Sequence, residues 1–178
     1  STLKSTYIPI RVFNNSKTGV NNVTIKNSTL DGKYCFWVQY YLSDGRDEET
    51  LEKTLKLDIF NSADGEGNNN TFIYTNDKSA PVLYGFNEAV YFDANGTAIV
   101  YDAEELAAIL TSEKENIAVS LGADIELPIS SLGSMTGGSG EYKLGGENTK
   151  AITIDLNGKK LNITTTYWSA LGAKNDNA

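Results

Sequence analysis

The 178-residue chain contains no histidine, and that absence decides most of its chemistry. Without an imidazole, Ser-His-Asp and Cys-His catalysis are excluded, together with the usual zinc sites. Cys35 stands alone in the apolar run Tyr34-Cys35-Phe36-Trp37-Val38. It reads as a buried thiol with no base to activate it, and a lone cysteine forms no intrachain disulfide. Paired carboxylates could hydrolyse a glycoside. The candidates Asp44, Asp47, Glu48, Glu49, Asp64, Glu66 and Asp124 sit mostly in polar, turn-like stretches, where a solvated surface charge is expected rather than a desolvated general acid. Asp64-Gly65-Glu66-Gly67-Asn68 alternates oxygen groups with glycine, as calcium loops do, with Asp64, Glu66 and Asn68 as the ligands. It lacks the distal bidentate Glu of an EF-hand, so a plain loop competes with the calcium reading. Gly137-Gly138-Ser139-Gly140 lacks the Lys and following helix of a phosphate cradle. Aromatics are the better lead. Trp37, Tyr40 and Tyr41 crowd one region beside Tyr34, and Tyr167-Trp168 form another pair. Trp37, Tyr40, Tyr41 and Trp168 are the residues expected to stack on sugar rings, with core packing as the competing use. Alternation sends Trp37 and Tyr41 to one face of a strand and Tyr40 to the other. No cofactor and no catalytic residue are expected.

The bulk composition narrows the partners. A net charge of −8 and a pI near 4.6 supply no basic surface to displace counterions from phosphates, which excludes nucleic acid. The same balance disfavours anionic membranes and acidic polysaccharides. No apolar stretch reaches the ~18 residues that span a bilayer. The chain opens Ser1-Thr2-Leu3, with neither an initiator Met nor a signal-type segment, and is expected to be a processed form or a piece of a longer protein.

The elements that must position these residues are mainly strands. Val23-Thr24-Ile25, Leu55 to Ile59, Ile117 to Leu121, Ile125-Glu126-Leu127, Ile152 to Leu156 and Leu161-Asn162-Ile163 alternate with period two. Turn clusters separate them, among them Asn95-Gly96 and Asn157-Gly158, which read as hairpin-type turns. Ser130 to Gly146 reads as a protruding flexible loop. In Thr50 to Leu57, Leu51 and Leu55 have helical spacing while Leu55, Leu57 and Ile59 alternate, so the second half is assigned to strand. One helix is clear: Asp102 as N-cap, Glu104 and Glu105 in the first turn, and an apolar face of Leu106, Ala107, Ile109 and Leu110, ending near Thr111-Ser112.

A repeat organises the whole. Ser1-Thr2-Leu3 followed by Tyr7-Ile8 recurs 27 residues later as Ser28-Thr29-Leu30 followed by Tyr34-Cys35. Ile163 followed by Tyr167-Trp168 is a third version. That length suits one coil of a β-solenoid, in which each coil buries one face on the next. From Asp102 to Lys160 the order is EELAAIL, IAVSLGADIEL, a loop, then AITIDLNGKKLNI. This stretch, about half the chain, resembles the first coils of pectin-lyase-like right-handed parallel β-helices found in many secreted bacterial and phage proteins, where a short amphipathic helix covers the open end. The resemblance implies an all-β, right-handed parallel β-helix with one short capping α-helix; the alternative is a β-sandwich or jelly roll. It does not carry the family's catalytic motifs: Arg11 and Arg46 are the only arginines, and there is neither an Asp-Asp pair nor a Gly-His-Gly.

The expectation is therefore a single β-helical domain over 1–178, with 1–92 as later-type coils and 93–178 as capping helix plus first coils. Its expected role is non-enzymatic: a structural or adhesive protein of a virion fibre, capsid decoration or bacterial cell-surface assembly, extracellular and homo-oligomeric or joined head to tail. The alternative is a domain that binds or cleaves a neutral polysaccharide. Neither nucleic acid nor membrane insertion is expected.

Overall fold

The computed structural model describes residues 1–14, 16–40, 48–61 (48 and 49 by backbone only), 67–85, 89–112, 114, 116–132 and 151–164. Strand outweighs helix, 44% against 13%, so the protein is of the all-β class. The chain divides into two compact units, Ser1–Ala98 and Ile99–Ala178.

The first unit is built from short strands that return in register. These are β1 (Thr2–Lys4), β2 (Ile10–Phe13), β3 (Asn21–Thr24), β4 (Thr29–Gly32), β5 (Phe36–Gln39), then a short helix α1 (Glu48–Thr54), β6 (Leu55–Asp58), β7 (Thr71–Tyr74), β8 (Val82–Tyr84) and β9 (Val90–Phe92). Every third strand pairs, and does so in parallel: β1 with β4 and β4 with β7, β2 with β5 and β5 with β8, and β3 with β6. Thr2 lies opposite Thr29 and Leu3 opposite Leu30, which is the 27-residue offset of the sequence repeat. Parallel neighbours need a crossover connection, which these chain segments supply. At β8 the ladder changes sense, with β9 antiparallel beside it, Val82 facing Phe92. This predominance of parallel pairing is the opposite of what a sandwich of antiparallel sheets requires.

Alternation explains the core. Ile10, Phe36, Val82 and Phe92 form one inward row, and Val12, Val38, Tyr84 and Val90 the next. Phe36, Val38 and Val82 are wholly buried, joined by Tyr40, Leu55 and Ile59. The Thr50–Leu57 ambiguity resolves as helix to Thr54 and strand from Leu55.

Polar side chains hold the corners. Asn70 donates to the carbonyls of Ile25 (2.6 Å) and Ile59 (2.8 Å) and accepts from the Ser28 amide (3.0 Å). Asn76 donates to Lys33 and Ala80 carbonyls at 2.7 and 2.8 Å, and Asn14 donates to the Thr54 hydroxyl at 3.1 Å. All three asparagines are buried, and these bonds satisfy their polar atoms within the protein. Asn27 and Asn69 immediately precede the Ser28/Asn70 corner that leads into β4 and β7, and both adopt φ +51°. Asparagine tolerates that left-handed conformation, which lets the same corner recur.

The second unit combines a helix with aliphatic strands. β10 (Ala98–Val100) crosses the boundary and is followed by α2 (Ala103–Leu110), β11 (Asn116–Leu121), β12 (Ile125–Pro128), a 3-10 turn at Ile129–Leu132, β13 (Ala151–Asp155) and β14 (Leu161–Thr164). α2 starts as its sequence demands: the Asp102 carboxylate accepts from the Glu105 amide at 2.9 Å, and the Glu105 carboxylate accepts from the Tyr101 amide at 2.6 Å. Such a cap contributes about 1 kcal/mol. Leu106, Ala107 and Leu110 point inward onto Val119, Leu121, Ile125, Leu127 and Leu132. β11 pairs in parallel with β13 and β12 with β14, Ile117 opposite Ile152 and Ile125 opposite Leu161. Here a sequence expectation is corrected. Asn157 and Gly158 do have the paired positive φ values, 48° and 72°, of a hairpin turn. The strands they join pair with β11 and β12 instead of with each other, so the turn makes a corner between two sheets. The Asp155 carboxylate holds it by accepting from the Asn157 amide at 2.8 Å.

Candidate functional site

The outer face of the first unit gathers aromatic rings and cations. On β2, β5, β8 and β9 the residues that alternate with the core rows are Arg11, Trp37, Leu83 and Tyr91, each opposite the next. The Arg11 guanidinium lies 5.7 Å from the Trp37 ring centre, and the indole N–H donates to the Gly85 carbonyl at 2.7 Å. At the corner before β5, Tyr34 packs edge-on against Tyr7, with ring centres 6.4 Å apart, and tilted against Tyr91, also at 6.4 Å. Lys33 stands 5.8 Å from the Tyr7 ring and Lys78 5.6 Å from the Tyr91 ring. Gly32 makes this close approach possible, because a Cβ there would fall 2.8 Å from the Tyr34 carbonyl and 2.9 Å from that of Tyr7.

The three phenols differ in access. Tyr7 is 53% exposed and Tyr34 only 8%. Burial pushes the Tyr34 hydroxyl up to about 12, helped by Tyr91, Asp77 and Tyr7 nearby and by a hydrogen bond shared with Tyr91. It therefore stays protonated across the physiological range and serves as a fixed donor. These groups can stack on a ligand and exchange hydrogen bonds with it.

The other notable surface is the outer edge formed by β1, β2 and β3. β1, β2 and β3 each stand at the end of their sheet, and among the described residues no strand pairs with their outer sides. Leu3, Tyr7, Phe13 and Val20, all on or between these strands, are 44–53% exposed.

Comparison with protein families, with curated proteins and with solved structures finds no match. The site must speak through its residues.

Of the residues singled out from sequence, Trp37 lies on the outer face and Tyr40 packs into the core behind it, the division that alternation predicts. Tyr41 and Trp168, like Tyr167, lie outside the described residues, as do Asp44, Asp47, Asp64 and Glu66. Asn68 braces a corner, its amide donating to the Asp58 carboxylate at 2.7 Å and the Phe60 carbonyl at 3.0 Å. That bond and Lys26 hold the Asp58 carboxyl below its ordinary value. Among the described residues no group of three acidic or sulfur side chains could hold a metal ion. Asp124 accepts from the Lys160 amide at 2.9 Å and so fixes the step between β12 and β14. The Cys35 thiol is buried against the Leu30 and Ile73 carbonyls, at 3.2 and 3.3 Å, and burial pushes it up to about 12. Sequence reasoning missed Tyr91, Lys33 and Lys78. The Tyr7/Tyr34 repeat was the available signal, and Tyr91 joins them only through the antiparallel return of β9. Among the described residues no helix is long and apolar enough to cross a membrane.

Proposed function

We propose that this chain is a right-handed parallel β-helix of the pectin-lyase-like kind, acting as a non-catalytic structural or adhesive module. The setting is extracellular, in a virion fibre, a capsid decoration or a bacterial cell-surface assembly, where the module works by self-association and surface binding. One observation carries the reading: three consecutive strands each pair in parallel with the strand three places later, and the offset begins at 27 residues. Coils that repeat in this order stack into a rod. A right-handed sense follows from the near-universal handedness of parallel crossovers. The strand edges at the end of such a rod favour pairing with a neighbour. Light scattering over a range of concentrations tests the proposal. The expected result is a particle mass that rises with concentration, and a monomer at every concentration overturns it.

A second reading has its own support, the exposed Tyr7 ring beside Tyr34 and Tyr91 with Lys33 and Lys78 at their faces. It makes the outer face a binding surface for a neutral glycan, since sugar rings stack on exposed aromatic side chains. Binding on a neutral glycan array that Tyr7→Ala abolishes is the expected outcome. An array without signal removes this reading.

A further inference from the structure

We infer that the outer edge of β7 pairs antiparallel with β7 of a second copy, joining the two chains across a two-fold axis at Ile73. The inference rests on the self-association of the preceding reading and names one contact by which it occurs.

The ladders give the first argument. Past β5 and β8 the seven-stranded sheet goes on to β9 and β10, whereas the sheet β1-β4-β7 stops at β7. This edge is internal to the chain: residues 67–70 lead into it and 75–81 lead out to β8. The Thr71 amide donates to the Ser28 carbonyl at 2.8 Å, and the Ile73 carbonyl accepts from the Cys35 thiol at 3.3 Å. Thr71 and Ile73 therefore turn their backbone groups inward, toward β4. Alternation turns the N–H and C=O groups of Phe72 and Tyr74 outward. Among the described residues no strand receives them.

Composition gives the second. Natural sheets blunt their edges with charge or proline, and asparagine disfavours strand pairing. Among the strands that end a sheet, charges stand in β1 (Lys4), β2 (Arg11), β6 (Lys56), β12 (Glu126) and β13 (Asp155), while β3 and β14 carry asparagine. β7 is Thr-Phe-Ile-Tyr and has none of these. All four of its residues favour strand. Ile73 is 46% exposed on it and Tyr74 38%.

Register selects the occupant. Outward backbone groups at Phe72 and Tyr74 flank Ile73, whose own groups turn inward. An antiparallel copy centred on Ile73 sets Phe72 opposite the partner's Tyr74 and Tyr74 opposite the partner's Phe72. Each of these pairs exchanges both backbone hydrogen bonds and sets one aromatic ring beside another. Ile73 meets the partner's Ile73 in the closely spaced position, with Cα atoms about 4.5 Å apart. Neither strand carries a charge, so like strands do not repel. Any extended peptide could match the hydrogen bonds, but a second β7 also matches the side chains on both faces. Such a contact is isologous and closes as a dimer.

Sedimentation velocity on the whole chain, over a range of concentrations, compares wild type with Ile73→Lys, which sets two like charges at the axis. Far-UV circular dichroism and melting check that the variant folds. Ile73→Cys and Thr71→Cys are separately treated with oxidised glutathione, and the linked products are mapped by mass spectrometry. Position 73 meets itself at a spacing that a disulfide bridges, whereas Thr71 faces the partner's Thr75. The expected result is a wild-type dimer, at least tenfold weaker dimerisation of Ile73→Lys, and a link at position 73 without one at 71. Wild-type association that folded Ile73→Lys leaves undiminished overturns this inference and leaves self-association standing. Equal linkage at both positions, or none at 73, overturns it in the same way. A wild type that stays monomeric overturns both. The cysteine pair decides the matter where Ile73→Lys fails to fold.

Discussion

The two units solve the same problem, keeping parallel strands in register, with different chemistry. In the first unit, register is written at the corners by buried asparagines such as Asn14, Asn70 and Asn76. Its core mixes Phe36, Tyr40 and Val82 with those polar braces. In the second unit the core is aliphatic throughout, from Val100 to Leu132, and a capped helix packs onto it. Side-chain hydrogen bonds specify one position and fail abruptly when a donor is lost. Aliphatic burial is less directional, and its cost scales with the volume removed.

The largest predicted effect sharpens the second half of that contrast. Leu127 is 0% exposed between α2 and the 3-10 turn, so Leu127→Ala should destabilise the second unit by about 3 kcal/mol through lost burial and the cavity left behind. Chemical denaturation followed by hydrogen exchange should show the loss in Ile99–Ala178. Equal loss of protection across both units would break the division. Next in size is Asn70→Ala. It leaves the Ile25 and Ile59 carbonyls and the Ser28 amide without their partner, at about 2 kcal/mol. Exchange should accelerate at the Ser28–Thr29 corner while Ile117 to Leu121 keeps its protection. A change near zero would show that water replaces the brace and that the corners do not set register.

The smallest effect is a dependence on pH. The Cys35 thiol has its pKa raised from 9.0 to about 12 in the folded chain. Above pH 9 the unfolded chain loses this proton first, so it binds fewer protons than the native state and native stability falls between pH 9 and 12. Burial raises Tyr34 and Tyr84 in the same direction, and both lie in the first unit. Alkaline melting should therefore begin in the first unit, and Cys35→Ala should make its decline shallower near pH 9 to 10. A decline that Cys35→Ala leaves unchanged would assign it to the tyrosines.

Much of this was legible in the residues, and the exceptions have a common cause. The strands from Ile117 to Ile163 and the helix after Asp102 could be read because one face is buried and the cap residue is local. The Thr2/Thr29 pairing could be read because the repeat is near-identical there. What could not be read depends on partners distant in sequence. An Asn-Gly pair dictates left-handed dihedrals and leaves open which strands flank them, so Asn157-Gly158 looked like a hairpin. Buried Asn70 and exposed loop asparagines look alike until their carbonyl partners arrive. Of the aromatic face, Trp37 and the Tyr7/Tyr34 pair were visible, whereas Tyr91 comes in on a reversed strand.

The recurring Asn27 and Asn69 corners have a practical consequence. Between paired strands the spacing grows from 27 to 42 residues along β1-β4-β7 and from 26 to 46 along β2-β5-β8, yet the ladders stay aligned. The added length is accommodated in the connections. A protein engineer can use these joints as splice points. Foreign peptides grafted at a corner would leave the strand ladders on either side in register.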